Sequence, residues 1–138
     1  MAAMRQMRLR ISVAVAGTLL WAVSASATDV TIEHAVLTAG AGGKWRADVT
    51  LRHDDTGWEH YADAWRVVAP DGTVLGTRTL YHPHETEQPF TRSLSGIEIP
   101  ADVKVVYIEA HDKLHKWTPQ RLEVDLEQPR GERFEVRR

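Results

Sequence analysis

The chain has 138 residues, 17 of them basic and 19 acidic, with seven histidines and no cysteine. The absence of thiols excludes disulfides, a thiolate metal centre, a cysteine nucleophile and an acylated-cysteine anchor. Basic residues form no patch of the kind that displaces counterions from a nucleic acid, so nucleic acid is not an expected partner.

The first 27 residues read as a cleavable export signal. Arg5, Arg8 and Arg10 give a positive start with no acidic residue near them. Ile11–Val23 is apolar, interrupted only by Ser12, Gly17 and Thr18, and is followed by Ser24-Ala25-Ser26-Ala27. The apolar run is shorter than the roughly 20 residues that a bilayer core requires. Ala25 and Ala27 fit the small-residue rule of signal peptidase, and no paired arginines call for the twin-arginine route. Cleavage after Ala27 is expected, with a periplasmic or secreted product and no remaining membrane segment. The mature chain would keep 14 basic and all 19 acidic residues, a net charge of −5.

From Thr28 onward the hydrophobic period is two. Val30–Val36 predicts a first strand, and Gly40–Gly43 the turn after it. That glycine run lacks the lysine and strand-to-helix context of a phosphate loop. Trp45, Ala47, Val49 and Leu51 alternate with Arg46, Asp48, Thr50 and Arg52, the pattern of a half-buried strand. Tyr61–Ala69 gives a third strand, Pro70-Asp71-Gly72 a reverse turn, and Thr73–Tyr81 a fourth strand. Phe90–Ser95, Val103–Ala110 and Leu122–Leu126 supply three more. Residues 128–138 are charged and poorly patterned, which leaves a mobile tail or an edge strand through Phe134 and Val136. Seven short strands with turn signals between them predict an all-β domain over residues 28–127. Its expected form is a two-sheet antiparallel sandwich of the fibronectin type III or immunoglobulin type, with Trp65 buried.

In such a sandwich the connections alternate between two poles. The second-to-third connection carries His53 and His60, the fourth-to-fifth His82 and His84, and the sixth-to-seventh His111 and His115. Six of the seven histidines thereby map to one pole, whereas His34, alone on the first strand, reads as structural. Imidazole is the commonest protein ligand for zinc and suits copper(II) and nickel(II). His82 and His84 at i and i+2 face one side of an extended chain, and His111 and His115 would lie one turn apart on a helical loop. Asp54, Asp55, Glu59, Glu85, Glu87 and Asp112 are available as oxygen ligands or as groups that orient the rings. The competing expectation is plainer: His53 caps the core, and His82-Pro83-His84 is an ordinary polar turn. Trp58, Tyr81 and Trp117, beside Glu85 and Asp112, make the same pole a candidate surface for an exported protein or a glycan without any metal. Catalysis is not expected, because Ser93 and Ser95 lack a nucleophile elbow and the adjacent His111 and Asp112 would point to opposite faces on an extended chain.

The stretches Gly57–Trp65, Pro70-Asp71-Gly72 and His82–Leu94 resemble a group of small exported bacterial proteins, with the resemblance covering about residues 45 to 126. It implies a periplasmic setting and a compact β domain similar to fibronectin type III or immunoglobulin modules. It brings no activity, cofactor or site residue with it.

Overall fold

The computed structural model describes residues 29–138, so the expected signal segment and its cleavage site lie outside the described residues. Among the described residues, alternating inward apolar side chains build nine strands: β1 (Thr31–Ala39), β2 (Lys44–Arg52), β3 (Ala62–Val68), β4 (Val74–Thr79), β5 (Phe90–Glu98), β6 (Val105–Asp112), β7 (Lys116–Trp117), β8 (Leu122–Asp125) and β9 (Phe134–Arg137). One sheet has the order β5-β2-β1-β9; the other has the order β4-β3-β6-β7, with β8 also pairing β6. Inner faces of both sheets contribute to a single core, with Leu37, Val49 and Leu51 from one layer and Trp65, Val67, Val106, Ile108 and Val124 from the other.

Three features depart from the simple period-two reading. In β1 the register against β2 shifts between Ile32 and His34. The bulge flips the alternation, so Ile32 is followed inward by Ala35 and Leu37 rather than by His34 and Val36. The sheet containing β1 is mixed rather than antiparallel, because β9 runs parallel to β1, with Ala35 opposite Phe134 and Leu37 opposite Val136. Finally, β6 continues through His111 and Asp112 and turns directly into the two-residue β7. No helical turn links His111 to His115.

The Pro70-Asp71-Gly72 turn forms between β3 and β4. The Gly72 N–H donates to the Ala69 carbonyl at 2.9 Å, Gly72 takes φ +89°, and the Asp71 carboxylate accepts from the Thr73 N–H at 2.9 Å. Strand directions then place the 53–61, 80–89 and 113–115 connections at the end of the molecule opposite this turn.

Candidate metal centre

The inward alternation of β2 runs past its last residue, so His53 is buried like Leu51 before it. Its Nδ1 is 2.5 Å from Asp55 Oδ1, and its Nε2 is 3.8 Å from Asp112 Oδ2. Asp55 is itself buried and joins the loops together. Its Oδ1 also accepts from the Ala62 N–H at 3.0 Å, and its Oδ2 accepts from the His84 N–H at 2.7 Å. Gln88 makes a second tie: its Oε1 accepts from the His53 N–H and its Nε2 donates to the His84 carbonyl. Burial alone would raise the Asp55 carboxyl, but the bonds from His53, His84 and Ala62 outweigh it and hold its pKa below the ordinary carboxylate value.

His60 is brought to the same place by a short closed loop, in which the Thr56 N–H donates to the His60 carbonyl and the His60 N–H to the Gly57 carbonyl. Gly57 has φ +134° there, a conformation that side chains disfavour. The His60 ring meets His53 edge-on at 4.8 Å between centroids and His115 at 5.2 Å. Its Nε2 is buried without a hydrogen-bond partner and lies 3.7 Å from Asp112 Oδ1.

Asp112 is completely buried at the end of β6. Its Oδ1 accepts from the Leu114 N–H at 2.8 Å and the His115 N–H at 2.6 Å, which fixes the turn into β7. The His115 Nδ1 is 3.1 Å from Oδ2. Here too burial would raise the carboxyl, and the backbone donors of His115 and Leu114 together with the His115 ring bring it below the ordinary value. One nitrogen from each of His53 and His60 and one oxygen of Asp112 all lie within 4.8 Å of one another; so do ligand atoms of Asp29, Asp112 and His115. The His–Asp112 separations of 3.7 and 3.8 Å exceed hydrogen-bond length. They approach the roughly 3.4 Å between neighbouring ligands of a tetrahedral ion with bonds of about 2.0–2.2 Å.

The remaining expected residues fall elsewhere. His84 is buried, stacked on Phe90 at 4.0 Å between ring centroids, with its Nε2 accepting from Arg92 Nη2 at 2.9 Å. It neighbours the Asp55 side of the network, and exposed His82 lies against it at 4.6 Å. Burial, then the charges of Arg92 and His82, press the His84 pKa below its ordinary value. His111 does not join the cluster. It belongs to β6, where neighbours alternate, so buried Asp112 sends His111 to the outer face of the sheet, where it pairs with Asp63 and meets Trp117. Trp117 is half-buried on that face under the Arg66 guanidinium, 3.8 Å from the ring centroid, rather than open at the pole. Trp58 and Tyr81 are exposed, at 65% and 76%, as is Glu85. The centre of the arrangement is therefore Asp112, which the sequence offers both as an oxygen ligand or ring-orienting group and as a partner-facing residue, with Asp55 and Gln88 as supports. The signal for Asp112 lay in the alternation of β6.

No family model and no solved structure matches the chain. Over 104 residues, 75% of this chain, it is 41% identical to a protein of Halomicrobium mukohataei named "Putative lipoprotein". The match takes in 48% of that protein, so the chain spans about half the length of the curated relative it matches. Among the described residues no helix is long and apolar enough to cross a membrane.

Proposed function

We propose that this chain is an exported β-sandwich binding module that holds a divalent transition metal, Zn(II), Cu(II) or Ni(II), at His53, His60 and Asp112. The carrying observation is the His60 Nε2, buried without a hydrogen-bond partner and facing a carboxylate that is too far away to satisfy it. An unpaired buried polar atom costs about 1–3 kcal/mol, and an ion between the two groups removes that cost. The second support is the Asp55–His53 pair. Metal-bound histidines almost always give their other ring N–H to a carboxylate, a backbone carbonyl or a water, which fixes the tautomer and aims the remaining nitrogen at the ion. Here that nitrogen faces Asp112. Two imidazoles and a carboxylate without sulfur suit Zn(II), Cu(II) and Ni(II) better than Cu(I).

The order β5-β2-β1 against β4-β3-β6-β8 supports a fibronectin type III- or immunoglobulin-like reading of the fold. The name of the Halomicrobium mukohataei relative supports an exported setting and agrees with the signal segment read from residues 1–27. It lends nothing to acylation, since this sequence has no cysteine. A second reading rests on the exposed Trp58 and Tyr81, which suit a protein or glycan partner without metal.

Thermal unfolding separates the two. At a hundredfold excess over Kd a metal bound only by the folded state adds about 2.7 kcal/mol, or roughly 10 °C for a domain near 100 residues. The shift should vanish in His60→Ala. If none of the three ions moves the transition, the metal reading fails and the aromatic surface becomes the working site.

A further inference from the structure

Two groups of metal-ligating side chains meet at this end of the molecule, and they share one residue. His53, His60 and Asp112 form the first; Asp29, Asp112 and His115 form the second. We propose that Asp112 is a bridging carboxylate and that Asp29 and His115 form a second metal position beside the first, giving a dinuclear centre. This rests on the metal reading of the His53–His60–Asp112 group.

The geometry around Asp112 carries the argument. On one side, Oδ2 lies 3.8 Å from His53 Nε2, and Oδ1 lies 3.7 Å from His60 Nε2. On the other side, His115 Nδ1 sits against the whole carboxylate, 3.1 Å from Asp112 Oδ2 and 3.2 Å from Oδ1, and 4.0 Å from Asp29 Oδ1. A proton held between an imidazole and a carboxylate occupies the position a divalent ion takes when it binds, since metal binding to such groups releases protons. The His60 and His115 rings are 5.2 Å apart, which makes the two positions neighbours. Paired sites of this kind hold their ions about 3.5–4 Å apart. Two divalent ions that close need anionic ligands between and around them, and Asp112 and Asp29 provide these. The positions differ in character. The first is enclosed, whereas His115 and Asp29 keep side-chain exposures of 35% and 49%. The second position should therefore exchange with solvent and fill later. Its two carboxylates and one imidazole are donor types that suit Zn(II) and Mn(II).

The test counts ions. Protein purified after export is loaded with Zn(II), freed of excess, and analysed by native mass spectrometry and elemental analysis beside the double variant Asp29→Asn, His115→Ala. Two ions per wild-type chain and one per variant chain support the bridge. One ion in both overturns the second position and leaves the His53–His60–Asp112 site standing. One ion in wild type and none in the variant overturns the bridge in favour of a single ion that uses His115. No ion in either overturns this inference together with the reading beneath it. Both substituted residues are partly exposed, and a cooperative apo melting transition close to that of wild type shows that the variant is folded. Mn(II) loading gives an independent readout: an exchange-coupled electron paramagnetic resonance signal supports the pair, and an isolated six-line signal at saturation overturns it.

Discussion

His53 and Asp55 are joined through Nδ1 and Oδ1 at 2.5 Å, with both side chains fully enclosed. The same carboxylate receives the backbone N–H groups of Ala62 and His84. One side chain thus sets a histidine tautomer and ties two loops to the start of β3. Asp55→Asn keeps the shape but puts an amide donor opposite either the two donors on Oδ1 or the one on Oδ2. It should lower stability by about 2–4 kcal/mol, the scale for breaking a buried charged network. Metal affinity should fall by about 10–100-fold, as expected when the group orienting a ligand is lost. Chemical denaturation and calorimetric titration check the two effects separately; an unchanged denaturation midpoint would show that Asp55 is not a clamp.

Acid should weaken the fold in two stages. The His84 pKa lies below its ordinary value because the ring is buried and beside Arg92, whose guanidinium donates to Nε2. The unfolded chain therefore binds this proton first. Stability is fully present above about pH 6.5, the reference value, and is lost as the pH falls from there through the lowered folded value. The depressed carboxyls of Asp55 and Asp112 act further down, from about pH 4. In His84→Gln the first stage should disappear, while the second stays. Melting temperatures measured from pH 8 to pH 3 resolve them. A wild-type profile flat between pH 7 and pH 5 would refute the role given to His84.

Much of this was legible in the sequence because it depends on alternation and turn chemistry. Trp45 to Leu51 announces β2, and extending the same alternation to His53 announces its burial. Reverse-turn residues at 70–72 fix the β3–β4 hairpin, and with it which loops share an end. What escaped the reading is nonlocal. A bulge opposite Thr50 and Leu51 changes the phase of β1, and nothing in Ile32-Glu33-His34 signals it. The parallel pairing of β9 joins residues about 100 positions apart. The length of β6 decided the site: ended at Ala110, the strand leaves both His111 and Asp112 in a loop, whereas two more residues send one out and the other in.

That outward turn makes His111 a control. It is paired with Asp63 and packed on Trp117, away from Asp112. His111→Ala should leave metal stoichiometry and affinity unchanged while His60→Ala removes binding. Its stability cost should stay near 1 kcal/mol, because the lost pair is part-exposed. Parallel titrations of the two variants check this. Equal loss of binding in both would mean that the cluster is arranged differently from the one described.

The last strand depends on a close approach at Gly131. A Cβ there would stand 2.1 Å from Phe134 Cε1 and 2.6 Å from Cζ, well inside van der Waals contact. The same turn is closed by the Gly131 N–H donating to the Phe134 carbonyl at 2.9 Å. Beyond it the Ala35 N–H donates to the Arg133 carbonyl, and Arg133 Nη1 donates to the Ile32 carbonyl. Phe134 packs against the core edge, and Val136 belongs to the core itself. Gly131→Ala must therefore push the Phe134 ring aside and pull β9 from β1. Overpacking of this kind costs about 1–3 kcal/mol. The loss should be local, since β1 keeps its full pairing with β2 on the other side. Hydrogen exchange reads the difference: the Ala35 amide should lose protection while the amides of β2, held between β1 and β5, keep theirs. Uniform loss across both strands would show instead that β9 is needed for the whole sheet, and wild-type exchange at Ala35 would show that the turn absorbs the added methyl.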